Sequence, residues 1–409
     1  MHIEIITIGD EILNGKTLNT NFTYIANLLK KNGYIVNQGL TISDGKKEIE
    51  THIKESFERS NLIIVTGGLG PTIDDNTKKY VSQLFDIELE INEDVLKFLK
   101  EKFKNLSSIE DQSTYPKSSI LLKNEIGSAF GFIIEKNNKS IMFLPGVPEE
   151  LTNMFEKHAM EYIKKTFVLE KKFFQKKMNI ILKEEVEIND FLKPLSTKDI
   201  ILGIYPNHEI VNITISTYAK NESEANLKID PIKKIIEEKF KSYTFENSSM
   251  EAEIHKLFLD GNKTLSFAES CSGGALSCKI TAVAGSSKYF LGSFITYSNE
   301  LKKNILKVKA STLNEFGAVS LQTVKEMLFG CIDLTNSSYS IAISGVAGPA
   351  GGTKDKPVGT VCIAIGDKKD FFLKEFHFQG NRNVIVKRAV STALGILIRK
   401  IKFNKYYEL

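Results

Sequence analysis

Long hydrophobic runs are missing from this 409-residue sequence. No stretch approaches the ~18 apolar residues of a membrane-spanning helix, which excludes an ordinary helical membrane protein. Cysteine is scarce: Cys271, Cys278, Cys331 and Cys362 are the only four, with no Cys-x-x-Cys pair and no Cys/His cluster. Such a set builds neither a structural zinc site nor a disulfide framework, and scattered thiols fit a reducing cytoplasm. An excess of one charge is missing too. The net charge of +4 is small for this length, and nucleic acid is not expected as a partner. The opening MHIEIITIGDEIL lacks a cationic start, so it reads as a first strand and not as a secretion signal. No internal repeat and no low-complexity segment occurs.

What is present supports several cores. Apolar residues make up 42% and charged residues 25% of the chain, and at about 100–200 residues per domain the length allows two to four domains. IEIITI (residues 3–8) predicts a strand, the spacing of Phe22, Ile25, Leu28 and Leu29 a helix, Tyr34 to Ile42 a second strand, and residues 46–60 a charged helix. NLIIVTGG is a short apolar run ending in glycines, as in a buried parallel strand. Asn137-Asn138 between two apolar runs predicts a hairpin, and a helix spans about 148–165. Residues 171–246 carry two strand-like stretches and two helical patterns, which predicts a small α+β domain. Asn247-Ser248-Ser249 reads as a linker, and α/β alternation resumes at Glu251. The fold class is therefore α/β, with two α/β domains (1–168 and 249–409) joined by a small α+β domain (169–248).

Two strand ends in the first domain carry unusual loops, Gly9-Asp10-Glu11 and TGGLGPTIDD, Thr66 to Asp75. Ligands of open α/β sheets bind beyond the carboxyl ends of strands. Glycines let the backbone approach a phosphate, so Gly67, Gly68, Gly70 and Thr72 are candidate phosphate contacts. An Asp at a helix start is most often a cap. That covers one residue, but not Asp74 and Asp75 together with Asp10, which are the candidate ligands for Mg²⁺ or a similar divalent metal. GDEIL, TGGLGPTIDD and LPGVPEEL resemble the molybdopterin-binding family and, more closely, the amino-terminal half of CinA proteins. The resemblance implies metal-dependent hydrolysis of ADP-ribose; a pterin binder, needing only the cradle, is the other reading. Phe130 stands where the resemblance expects Pro. The middle domain resembles the KH-like insert of CinA proteins, but has no Gly-x-x-Gly loop to clamp RNA.

FAESCSGGALS, Phe267 to Ser277, sets Ser270, Cys271 and Ser272 side by side before two glycines. A Ser or Cys nucleophile usually needs a base, and no histidine sits in a recognisable motif nearby. Gly273 and Gly274 open a helix whose N–H groups could face an oxyanion. Ser272 reads as a cap for that helix, and Cys271 as a small buried hydrophobe. Two more loops follow, TYSNELK and SGVAGPAGG. With AESCSGG and KPVGTV these motifs resemble the CinA carboxy-terminal domain, the PncC-type nicotinamide mononucleotide deamidases. That resemblance implies hydrolysis of the nicotinamide carboxamide without a cofactor, with Ser270 as nucleophile and Lys302, kept neutral, as base. Tyr297 would orient Lys302 or relay its proton, and N–H groups near Gly273 and Gly274 would hold the oxyanion. Ser344 and Gly345 in the third loop, with Arg382 and Arg388, would bind the substrate and its phosphate. Val386 stands where a second Arg is expected, and Ala350 where an acidic residue or glycine is. The whole reading is a cytoplasmic, bifunctional enzyme of pyridine-nucleotide recycling, expected to be a homodimer with no membrane contact. The alternative is a non-catalytic nucleotide or pterin binder acting in competence or DNA-damage responses.

Overall fold

The computed structural model describes every residue except 73, 74, 104–108, 208, 209, 246, 408 and 409. The chain forms two compact units, Met1–Phe174 with Tyr218–Glu222, and Gln175–Thr217 with Ser223–Leu409.

The first unit is built around the strands β1 (Ile3–Ile8), β2 (Gln38–Ile42), β3 (Leu62–Thr66), β4 (Leu89–Ile91), β5 (Thr114–Pro116), β6 (Ile120–Leu122), β7 (Gly131–Lys136) and β8 (Lys139–Leu144). Six of them form one sheet in the order β2-β1-β3-β8-β7-β6, and β4 pairs with β5 apart from it. β2, β1, β3 and β8 run parallel, whereas β7 and β6 are antiparallel. Every residue of β3 is buried because both faces are covered. Leu62 and Ile64 join the cluster of Ile25, Leu29 and Leu151, while Ile63 and Val65 join that of Ile49, Ile53 and Val81. Asn137 and Asn138 turn the β7–β8 hairpin with φ of 56° and 57°, the pair of left-handed residues that a two-residue hairpin of this twist demands. The second strand is shorter than its sequence predicts, with Tyr34–Asn37 outside it. The helix after β8 runs from Pro148 to Thr166 through a π-helical turn, Phe155–Ala159. Phe130 is buried, and its N–H donates to the Tyr115 hydroxyl at 3.2 Å, a bond that proline in its place could not make.

One ion pair anchors this unit. Glu4 on β1 is fully buried and accepts from Arg59 (Nε, 2.6 Å), Ser56 (2.7 Å) and Ser60 (2.8 Å). Burial raises the carboxyl pKa, but the bonds from Arg59, Ser56 and Ser60 together outweigh it and hold the group below its ordinary value. A depressed folded pKa means stability that is present above the unfolded value, ~4.3, and lost as pH falls through the folded one. Glu4→Gln is therefore expected to lower the thermal midpoint of the full chain at pH 7. The gap to wild type should close as pH falls below ~4. Melting curves at several pH values check this, and a gap independent of pH would contradict it.

The remaining strands form two sheets. β9 (Lys172–Ile181), β10 (Ile201–Asn207), β11 (Ile210–Ala219) and β12 (Thr244–Phe245) order as β10-β11-β9-β12, accompanied by the helices Glu185–Leu192 and Glu222–Lys239. β10 is absent from the sequence expectation. It lies at the sheet edge and is mostly exposed, which is where a strand containing Gly203 and Pro206 is tolerated. The Asn247–Ser249 stretch is tied down, not loose. Asn179 donates to the Asn247 carbonyl at 3.0 Å, and Ser249 caps the helix Met250–Asp260. Ile181, Leu182 and Phe245 share one core with Met250, Ile254, Phe267 and Leu394.

The other sheet consists of β13 (Leu265–Glu269), β14 (Phe290–Ile295), β15 (Tyr339–Gly345), β16 (Thr360–Gly366) and β17 (Phe371–His377), in the order β14-β13-β15-β16-β17. β14, β13 and β15 are parallel, and β16 and β17 antiparallel, so this sheet is mixed like the first. The carboxyl ends of three parallel strands thus open on one side. Among the described residues no helix is long and apolar enough to cross a membrane.

Candidate functional site

β13 delivers its last side chains to the carboxyl edge of the sheet. The Ser270 N–H donates to the Ile343 carbonyl of β15 at 3.0 Å, which fixes Ser270 at the final rung. The chain then turns through Gly273 and Gly274, with φ of 59° and 99°, a left-handed backbone that glycine adopts without cost. The helix Ala275–Thr281 follows. Its cap is Glu269. This fully buried carboxylate accepts from the N–H groups of Gly274 (3.0 Å), Leu276 (3.1 Å) and Ser277 (3.1 Å), and from the hydroxyls of Ser277 and Ser293. An acid at the positive end of a helix dipole, fully hydrogen-bonded, is stable there.

That arrangement corrects two expectations. Ser272 does not cap the helix; its hydroxyl has no partner. Gly273 and Gly274 do not offer free donors for an oxyanion, because their N–H groups go to the Ser270 carbonyl (3.1 Å) and to Glu269.

Lys302 comes to Ser270 from the short helix Asn299–Asn304, which Ser298 caps. It is 1% exposed, and its Nζ lies 3.0 Å from Ser270 Oγ, 2.8 Å from the Thr296 carbonyl and 3.2 Å from the Tyr297 carbonyl. Burial pushes its pKa down because the charged form loses its hydration. Cys271 is also buried, and burial pushes its thiol up to about 12, so it stays protonated and unreactive at neutral pH.

Tyr297 is near Lys302 through its backbone only. Its side chain is exposed, and its hydroxyl accepts from Arg382 Nη2 at 2.9 Å. The phenol therefore neither orients Lys302 nor relays its proton in this arrangement. Arg382 Nη1 donates to the Gly348 carbonyl at 2.9 Å, so this one side chain joins the Tyr297 segment to the third glycine loop. Guanidinium carries five N–H donors, and those left over face solvent on an exposed residue. Arg388 sits six residues further along the same helix, Arg382–Phe403, about 120° around its axis. Val386 packs inward against the core. The Ser344 hydroxyl donates to the Ala318 carbonyl at 2.7 Å, and Gly345 pairs with Val361. Both serve the framework of the third loop, and neither is joined to Ser270 by a hydrogen bond. Ala350 is exposed.

In the first unit, Gly67 and Gly68 follow β3 with φ of 106° and 68°. A Cβ on Gly67 would stand 2.3 Å from the Ile8 carbonyl oxygen, and one on Gly68 2.1 Å from Thr77 Oγ1, so only glycine fits there. The Asp75 carboxylate accepts from the Thr72 N–H (3.0 Å) and hydroxyl (2.5 Å), and a Cβ on Gly70 would stand 2.6 Å from its Oδ2. Asp75 thus folds the loop on itself. Asp10 is exposed at the end of β1, and its N–H donates to Asp44 Oδ2 at 3.1 Å. Asp74 lies outside the described residues, among which no three His, Cys, Asp or Glu side chains gather around a metal position. No motif marks Lys78, the second residue of the following helix, Thr77–Phe85. Its Nζ donates to the Asp111 carbonyl at 2.8 Å and lies 4.6 Å above the Tyr115 ring, and burial lowers its pKa to about 8.

Comparison with known proteins adds to this geometry. Residues 4–165 match a family model described as "Probable molybdopterin binding domain", and residues 247–401 match the CinA C-terminal domain. A CinA-like protein of Endomicrobium trichonymphae is 36% identical over 425 residues, covering 98% of this chain and 99% of its own. A CinA-like protein of Prochlorococcus marinus (strain MIT 9515) is 36% identical over 408 residues, covering 97% and 94%. Among solved structures, a CinA protein of unknown function from Thermoplasma acidophilum is 35% identical over 39% of this chain and 96% of its own, with a TM-score of 0.37.

Proposed function

This chain belongs to the CinA family, with a molybdopterin-binding domain first and a CinA domain last, and from that premise we propose that its carboxy-terminal site is an amidase acting on nicotinamide mononucleotide. The observation that carries the reading is the buried Lys302 Nζ at 3.0 Å from Ser270 Oγ. A neutral amine has two N–H donors and one lone pair. Here the carbonyls of Thr296 and Tyr297 take the two hydrogens, which leaves the lone pair for the Ser270 hydroxyl. Ser270 Oγ forms a bond to the carboxamide carbon while its proton passes to Lys302. Breaking the C–N bond returns that proton to nitrogen, and ammonia leaves. Water, activated the same way, then splits the acyl-serine to the carboxylate. Arg382, with donors to spare, would hold the substrate phosphate. The test is ammonia release and formation of nicotinic acid mononucleotide from the purified full chain. A chain that folds but makes neither product would overturn the reading.

For the first domain we propose ADP-ribose hydrolysis dependent on a divalent cation. Support comes from the glycine-only turn at Gly67 and Gly68 beside Thr72, with Asp10 and Asp75 near neighbouring strand ends. Mg²⁺ commonly takes one or two carboxylates plus the substrate's own phosphates, which is consistent with so sparse a set of protein ligands. The cation would supply charge neutralisation at the diphosphate. Turnover of ADP-ribose to AMP is expected to vanish in excess chelator and to return on adding Mg²⁺ or Mn²⁺. Unchanged turnover in chelator contradicts the proposal, and a pterin binder would show no turnover under either condition.

A further inference from the structure

Because Glu269 caps the helix, Ser272 is left without a task in the fold. It is 7% exposed, its hydroxyl has no partner, and among the described residues its N–H has none either. A second hydroxyl is in the same state. Thr296 Oγ1 is fully buried and unpartnered, although the Thr296 N–H donates to the Glu269 carbonyl at 2.9 Å and its carbonyl accepts from Lys302. Exposure alternates across Ile295, Thr296 and Tyr297 at 48%, 0% and 59%, so the Thr296 side chain points inward while its neighbours point out. An unpartnered buried polar group destabilises the fold, because it has lost its hydration and gained no partner. Of the two, one belongs to the residue two places after Ser270, the other to the residue whose carbonyl accepts from Lys302 Nζ at 2.8 Å, and two such groups call for an explanation that the packing does not supply.

The chemistry of an amide matches both. A carboxamide presents an oxygen that becomes negative during attack, and a nitrogen carrying two hydrogens. We propose that Ser272 binds the carboxamide oxygen through its N–H and hydroxyl, and that Thr296 Oγ1 accepts a hydrogen from the amide nitrogen. This deepens the amidase reading and rests on it. As the Ser270 Oγ–carbon bond forms, the carbonyl electron pair moves onto oxygen, where the two Ser272 donors meet it. As the carbonyl reforms and the C–N bond breaks, nitrogen takes the proton from Lys302. Donors aimed at a developing oxyanion act mainly on kcat.

The test uses the full chain carrying Ser272→Ala, Ser272→Thr or Thr296→Val, assayed for ammonia release from nicotinamide mononucleotide. Ser272→Ala is expected to lower kcat ~100-fold with little change in KM. Ser272→Thr should restore most of it, and Thr296→Val should cost ~10-fold. Neither Ser272→Ala nor Thr296→Val should lower the thermal midpoint, since each removes an unpartnered group. A second readout is binding of pyridine-3-boronic acid, whose adduct on Ser270 Oγ is tetrahedral and negative. Its affinity should weaken in Ser272→Ala. If wild type releases ammonia and Ser272→Ala matches it, the inference falls and the amidase reading stands. If wild type releases no ammonia, but its boronate adduct weakens in Ser272→Ala, the substrate is wrong and the role of Ser272 stands. Absence of both overturns both. A loss of activity that tracks a loss of thermal stability identifies a structural role, such as holding a buried water, and overturns the inference.

Discussion

Replacing Ser270 with Ala is expected to abolish ammonia release from nicotinamide mononucleotide, a fall of about 10⁴-fold or more. The expectation rests on there being no substitute nucleophile. Among the described residues, Ser270 Oγ is the one side-chain group hydrogen-bonded to Lys302 Nζ. Cys271 is next in the chain, but burial pushes its thiol up to about 12, so almost none of it is thiolate at neutral pH. Ser272 has a hydroxyl but no base on it. Cys271→Ala is accordingly expected to stay within ~3-fold of wild type, because it removes a small buried group and no reacting atom. Two measurements separate the possibilities: steady-state ammonia release for both variants, and the intact mass of the protein quenched during turnover. An acyl adduct should be found on wild type and Cys271→Ala, and not on Ser270→Ala. If Ser270→Ala remained active and Cys271→Ala did not, the thiol would be the nucleophile and the Ser–Lys mechanism would fail.

Much of this site was legible in the sequence, for a physical reason. A nucleophile at a strand end before two glycines needs only local geometry, and AESCSGG encodes that geometry directly. Lys302 could be found because it shares a motif with Tyr297. Which part of Tyr297 faces the site could not. Exposure alternates along Ile295, Thr296 and Tyr297, and that sends the phenol outward to Arg382 while its carbonyl turns in to Lys302. Glu269 was silent for a different reason. Its partners are backbone N–H groups that come together only after Gly273 and Gly274 have turned, and no spacing of side chains announces them. For Asp75, residue type and position point to a metal ligand, but they do not show that one of its oxygens accepts from Thr72, a bond formed only as the loop folds. In the fold, buried strands such as Leu62–Thr66 were plain from their apolar runs. The edge strand Ile201–Asn207 was hidden because most of its residues are exposed and carry no pattern of burial.

Lys302 provides the other large effect, and its sign follows from burial. Only the neutral amine can accept the Ser270 proton, so activity should rise with pH as Lys302 loses its own. An ordinary lysine would place that rise near pH ~10.4. Burial of Lys302 disfavours the ammonium and moves the rise downward. The Thr296 and Tyr297 carbonyls oppose this in part, since they also accept from the charged form, but they hold the amine in one orientation whichever form is present. The profile of kcat/KM against pH should therefore ascend through a midpoint below that of free lysine and then level off. Lys302→Met keeps much of the buried volume and removes the base, and a loss of about 10³-fold or more is expected. Lys302→Arg should be as inactive, because guanidinium stays protonated at every accessible pH, and its profile should show no ascending limb of this origin. Titrating wild type and both variants over the same buffers checks the assignment. An ascending limb that persisted in Lys302→Arg, or a wild-type profile with no rise at all, would assign the proton transfer to another group.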